Sequence, residues 1–199
     1  MNISSYIVRI LTGAALVITP AVALSQSGSS SSSAGMSASS TASASSVPAT
    51  DKKFIRQAAE GGMAEVELGR LATEKASNKD VKKFGERMVN DHSKANDELK
   101  QIASSKGVDL PNDLNAKDKM LKERLSKLSG DSFDKAYMQN MVKDHRKDVA
   151  EFSKESRSAS DPEVKQFAGK TLPTLKEHLQ KAESIAPSAK TSGSSSTSQ

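Results

Sequence analysis

The sequence contains no cysteine and no tryptophan, and its 199 residues hold only five phenylalanines and two tyrosines. Without cysteine there is no disulfide frame, no thiolate metal site and no lipidated amino-terminal cysteine, so stability has to come from packing. The scarce aromatics mostly fall at core-like positions, which leaves little for stacking on bases, and nucleic acid is not an expected partner. The net charge of +5 does not change this, because Lys and Arg alternate with Asp and Glu instead of forming a block. That is the pattern of a solvated helix surface. Catalytic signatures are missing too. There is no Gly-x-Ser-x-Gly elbow, no phosphate-cradling glycine loop and no His-Glu-x-x-His, and the serines crowd into the two ends. The expectation is a protein that is not an enzyme.

Long apolar runs are almost absent. The one stretch of note, ILTGAALVI from Ile10 to Ile18, follows a single basic residue, Arg9, and precedes Pro20. Small residues at Ala21-Val22-Ala23 or Ala23-Leu24-Ser25 suit a signal peptidase, so residues 1–25 are read as an export signal. The run is too short to span a membrane comfortably, and no other segment approaches that length, so no transmembrane helix is expected in the mature protein. Residues 26–50, almost wholly Ser, Ala, Gly and Thr, cannot bury enough apolar surface to offset the entropy of ordering them and are expected to be a disordered linker. Residues 187–199 read as a similar Ser-rich tail. Residues 51–186 remain for one folded domain of about 135 residues, enough for a single core.

That domain repeats itself. Ser77 to Ala103 aligns without a gap on Ser160 to Ala186, pairing Ser77/Ser160, Val81/Val164, Lys82/Lys165, Phe84/Phe167, Ile102/Ile185 and Ala103/Ala186 as identities. The same offset pairs Asp51/Asp134, Lys52/Lys135, Phe54/Tyr137, Ile55/Met138 and Val66/Val149. The repeating unit is a pair of helices. The first, about Asp51–Ala76 with Asp51 as its cap, carries a stripe of Phe54, Ile55, Ala59, Gly62, Val66, Gly69 and Ala72. Gly61 and Gly62 would each cost roughly 1 kcal/mol inside it, which predicts close approach of a neighbour there. The second helix starts after Ser77-Asn78-Lys79-Asp80, where Ser77 and Asp80 resemble a capping box, and ends at Lys106-Gly107.

Between the two copies a short amphipathic piece, about Ala116–Leu128, carries Met120, Leu121, Leu125 and Leu128 on one side. Its length favours a long crossover over a tight turn. The second copy follows as helices near Asp131–Ser158 and from Ser160 onward, the latter with Pro162 in its first turn and an expected kink at Pro173. Two duplicated hairpins joined by a long crossover predict an all-α, ferritin-like four-helix bundle.

The segments FIRQAAEGGMAEVELGRLA, RMVNDHSKANDELK, AYMQNMVKDHRKDVAEF and TLPTLKEHL together resemble the bacterial exported family labelled domain of unknown function 4142. The resemblance covers about Asp51 to Ile185. It implies a ferritin-like fold and a location in the periplasm or at the outer membrane, and it brings no established chemistry; an envelope component of unknown identity is the expected partner.

The chemical signal lies in the histidines. All three in the chain, His92, His145 and His178, sit on apolar stripes directly after an acid. Counted from the hairpin turns, they fall near one depth of the bundle, with Glu67 and Glu60 of the first helix at similar depths. A di-iron site would need Glu-x-x-His on two helices, yet the residues three before each histidine are Val89, Val142 and Leu175, so iron oxidation is not expected. Met88 with His92 and Met141 with His145 form Met-x-x-x-His pairs one turn apart, the thioether and imidazole combination that copper(I) or a similar soft ion prefers. The candidate metal residues are therefore His92, His145, His178, Met88, Met141 and Glu67, and the candidate cofactor is copper or another transition metal. Methionine is also ordinary core filler, and a histidine on an apolar stripe is often only a satisfied core residue. Glu65 with Glu67, and Asp144 with Asp148, read as salt-bridged surface.

Two functional readings follow. One is a non-enzymatic structural, interaction or stress-related envelope protein, which could also reach the outer membrane or peptidoglycan through its basic helix faces. The other is a periplasmic metal binder built on the Met/His cluster.

Overall fold

The computed structural model describes residues 47–186; the expected export signal, the linker up to residue 46 and the tail lie outside them. Five helices make up the described part: α1 (Ala49–Lys75), α2 (Lys79–Ser105), α3 (Ala116–Ser126), α4 (Gly130–Ser158) and α5 (Pro162–Ile185). α1 starts two residues before the predicted Asp51, behind Pro48, and Val47 is already buried in the core, so the folded part reaches into the stretch expected to be linker. α1 packs along α2 and α4 along α5; α2 against α5 and α1 against α4 close the four-helix bundle, while α3 lies over α1 and α4.

The duplication is preserved as a pair of reciprocal clamps that fix the direction of every helix. Asp51, near the start of α1, does not cap its own helix; its carboxylate accepts hydrogen bonds from the backbone N–H groups of Ser160 and Asp161 in the α4–α5 turn. Its repeat mate Asp134, near the start of α4, accepts from the N–H groups of Ser77 and Asn78 in the α1–α2 turn, and from the Ser77 hydroxyl. Each hairpin thus holds the turn of the other. α1 and α4 therefore run antiparallel, and the crossover must travel the length of the bundle, as in the ferritin-like layout. Ser77 is consequently occupied by Asp134, and the cap of α2 is Asn78, which accepts from Asp80 N and Val81 N. Asp161 does the same at α5. A side-chain acceptor is satisfied best by the first free N–H groups of a helix, whichever residue supplies it.

Small residues set the α1–α2 spacing. A Cβ at Gly85 would lie 2.8 Å from both the Ala72 Cβ and the Gly69 carbonyl oxygen, so the two backbones touch there. Gly62 faces Asn96, whose side chain fills the space a Cβ would need, whereas Gly61 has nothing within 4 Å of that position. The close approach predicted for the glycine pair thus holds for Gly62 only. On α3, Leu121 and Leu125 are buried but Met120 is 70% exposed, since a short helix lying on the outside of a bundle buries a narrow stripe. α5 stays helical through Pro173, which removes a single N–H from a 24-residue element.

Two apolar clusters fill the interior. One, toward the α1–α2 turn, gathers Leu68, Phe84, Met88, Leu125, Tyr137 and Met141. The other, toward the α4–α5 turn, gathers Phe54, Ile55, Leu99, Phe152, Phe167 and Leu175. Between Met88 and Leu99 on α2, between Met141 and Phe152 on α4, and between Leu175 and Ala182 on α5, the chain places its histidines.

Candidate metal centre

Each long helix sends one polar side chain into the layer between the two apolar clusters: Glu65 from α1, His92 from α2, His145 from α4 and His178 from α5. All four are buried, with relative exposures of 4%, 8%, 0% and 1%. Burying four such groups together opposes stability unless their polar atoms are satisfied, so the hydrogen bonds decide what the layer is for.

The imidazoles converge. Their ring centroids lie 5.7 Å (His92–His145), 5.4 Å (His92–His178) and 5.3 Å (His145–His178) apart. One nitrogen from each ring can be chosen so that all three lie within 4.8 Å of one another. A metal bound by three imidazoles at about 2.0 Å sets its nitrogens roughly 3.3–3.5 Å apart, and His145 Nε2 and His178 Nδ1 are already separated by 3.3 Å.

The tautomers follow from the outer partners. His145 Nδ1 lies 2.9 Å from the Met141 carbonyl oxygen, which can only accept, so the proton is on Nδ1 and the lone pair on Nε2. His178 Nε2 lies 3.0 Å from the Asp91 carboxylate, so its proton is on Nε2 and its lone pair on Nδ1. The two lone pairs therefore face each other across 3.3 Å with no hydrogen between them. His92 Nε2 has no hydrogen-bond partner at all. Two acceptors thus face each other with no donor between them, and beside them stands His92, whose tautomer no hydrogen bond fixes; three such imidazoles are a set that suits a cation.

Electrostatics keep the three rings neutral. Burial, and then the approach of His145 and His178, pushes His92 well below the ordinary histidine range. Burial and the neighbouring His178 take His145 down to about 4, against the hydrogen bond to Met141. His178 is lowered chiefly by burial, partly offset by its bond to Asp91. Asp91 is pushed up by burial, but the hydrogen bonds from His178 and Arg87 outweigh that and hold it below the usual carboxylate value. Arg87 in turn bonds Glu177 at 2.6 Å, so a chain of charge-assisted bonds orients His178 from the surface inward.

Of the residues expected from the sequence, the three histidines meet, and Met88 and Met141 stand fully buried one helical turn before His92 and His145. Glu67 does not join them. It faces the α3 side of α1, paired with Lys122 and Arg70, because it is two residues from Glu65 and so points elsewhere on the helix. Glu60 lines a cavity nearer the surface. Glu65, expected on the salt-bridged surface, is instead the buried acid. Its Oε1 is 3.8 Å from His145 Nδ1 and its Oε2 has no partner. Burial, with Asp148, Asp144 and Asp118 adding to it, raises Glu65 well above an ordinary carboxyl. The signal was present in the sequence, since Glu65 continues the Gly62–Gly69–Ala72 stripe at helical spacing. The donor set does not fit a di-iron carboxylate centre, because no histidine is paired with a Glu three residues before it, those positions being Val89, Val142 and Leu175.

No curated protein sequence matches the chain. Solved structures share its fold at low identity. A DUF305 fragment from Deinococcus radiodurans has a TM-score of 0.62 at 12% identity, over 70% of this chain and 96% of its own. A DUF305 protein from Streptomyces coelicolor, described as secreted, has a TM-score of 0.59 at 12% identity over 68% and 89%. CopM in its Cu(I)-bound form has a TM-score of 0.57 at 15% identity over 67% and 93%. These likenesses are of fold. Among the described residues no helix is long and apolar enough to cross a membrane. The family model of the Domain of unknown function (DUF4142) matches residues 36–185, well over half of the chain, and the protein belongs to that family.

Proposed function

We propose that this protein is a non-catalytic, exported bundle that binds one transition-metal ion, copper(I) in preference to harder ions, through His92, His145 and His178. The observation that carries this reading is the pair of facing lone pairs on His145 Nε2 and His178 Nδ1, 3.3 Å apart, beside the unpartnered Nε2 of His92. A purely structural layer would place a donor there. Neutral imidazoles suit copper, zinc, iron and nickel, and buried thioethers at Met88 and Met141 favour the softest of these. The fold shared with CopM, whose solved forms include Cu(I)-, Cu(II)- and Ag-bound states, supports the same choice. Export rests on the leader-like residues 1–25.

The test is titration of the metal-free chain with copper(I), zinc and iron(II), alongside a variant carrying His92→Gln, His145→Gln and His178→Gln. One equivalent of copper(I) should bind the native chain, with affinity at least about 100-fold weaker in the variant. Equal, weak binding by both would leave the structural or interaction role as the better reading.

A further inference from the structure

A buried cluster of ligands needs a way in, and two neighbouring cavities share part of their walls. The outer cavity, about 120 Å³, lies between α1, α3 and α4. The carboxyl groups of Glu60, Glu65, Asp118, Asp144 and Asp148 outnumber the amines of Lys117 and Lys147 along its wall. Glu65, 4% exposed and with Oε2 unpartnered, stands at its inner end. The inner cavity is smaller, about 30 Å³, near the share of liquid volume one water takes, and His92 forms part of its wall among Phe54, Leu99 and Phe167. Gln57, Gly61 and Asp148 line both cavities. A side chain is missing beside that shared wall, and a Cβ on Gly61 would find nothing within 4 Å.

We infer that the outer cavity, the throat at Gln57–Gly61–Asp148 and the inner chamber form the entry route by which the metal cation reaches His92. The inference rests on the metal-binding reading above and adds to it a path and a selectivity step. Carboxylates at the surface concentrate cations and exchange their waters. The throat then passes an ion into a chamber that has room for about one water, so the ion arrives largely stripped of its hydration shell. Such a step favours soft, weakly hydrated ions over magnesium, which dehydrates reluctantly. It also accounts for Gly61, whose place inside α1 no close packing requires.

The route is tested by stopped-flow mixing of copper(I), delivered as a labile nitrile complex under anaerobic conditions, with the metal-free full chain, following the change in tyrosine fluorescence. End-point affinities come from competition with a chromophoric chelator. Gly61→Leu, filling the throat, should slow uptake and release together by at least about tenfold with the affinity changed less than about threefold. Gln57→Ala, widening it, should speed both; this second variant keeps the test decisive if Gly61→Leu does not fold. At pH 8, where Asp148 is ionised, Asp148→Asn should slow uptake alone, with a weaker dependence on salt. Unchanged rates in Gly61→Leu or Gln57→Ala, with native copper binding intact, would overturn the route and leave the site standing. Failure of the native chain to bind copper(I) would remove both.

Discussion

Replacing His92 with leucine should make the metal-free protein more stable while destroying the proposed metal site. His92 is 8% exposed and its Nε2 has no hydrogen-bond partner. An unsatisfied buried polar atom costs roughly 1–3 kcal/mol, and leucine has a similar volume with nothing to satisfy. Reshaping the contacts with the His145 and His178 rings, 5.7 and 5.4 Å away, should give back less than about 1.5 kcal/mol. The net gain is about 1 kcal/mol, or some 3 °C in Tm for a domain of this size. With copper(I) present at 100 times its Kd, the native chain gains about 2.7 kcal/mol by mass action and the variant gains nothing, so the order of stability inverts. Urea unfolding followed by circular dichroism, with and without copper(I), measures both halves. If the metal-free variant is less stable by 2 kcal/mol or more, His92 has a partner or a packing role in the native layer, and the argument from its unpartnered nitrogen fails.

Other consequences are independent of metal. Gly61→Ala should stabilise the protein by about 0.5–1 kcal/mol, because its Cβ enters open space, whereas Gly85→Ala should destabilise it by roughly 1–3 kcal/mol through collision with Ala72 and the Gly69 carbonyl; thermal unfolding ranks them. Asp134→Ala and Asp51→Ala should each cost about 2–3 kcal/mol, since each strands two turn N–H groups that a buried carboxylate now satisfies. Equal stability of either variant with the native chain would mean the clamps do not hold the hairpins together. Asp148 is raised to about 7, mainly by burial, so the native fold loses stability as pH rises from about 4 to about 7. His145 is lowered to about 4, so its contribution is lost in the opposite direction, as pH falls from about 6.5 to about 4. The two trends oppose each other over one window. Asp148→Asn should therefore gain roughly 2 kcal/mol on the native chain at pH 8, allowing for partial screening, and almost nothing at pH 4, measured by urea unfolding at both values. A gain independent of pH would contradict the assignment.

The bundle could be read from the chain because packing repeats. Val81/Val164 and Phe84/Phe167 are identical between the hairpins, and all four residues are buried. Local capping was harder, since Asp51 and Asp134 satisfy turns of the opposite hairpin, and no local pattern distinguishes such an acceptor from a cap on its own helix. The histidines were legible as a group by their common depth. The acid that accompanies them was not, because Glu65 and Glu67 differ only by two positions on one helix, and that rotation decides which enters the core. The repeat held a further hint. Glu65 and Asp148 occupy equivalent positions in the two copies, and they end as a buried and a half-buried carboxyl group, both with raised pKa, on the facing helices α1 and α4. What the duplication does not repeat is the triad itself: His145 matches Gly62, His92 matches Leu175 and His178 matches Ala95. The site is therefore an asymmetric feature of a symmetric scaffold.

X-ray absorption at the copper edge of the copper(I)-loaded chain bears most directly on the proposed site. Three imidazole nitrogens at about 2.0 Å are expected, with the outer-ring scattering of coordinated histidine, reduced to two in His92→Gln. A spectrum with one imidazole or none, or one left unchanged by His92→Gln, would contradict a centre built on His92, His145 and His178.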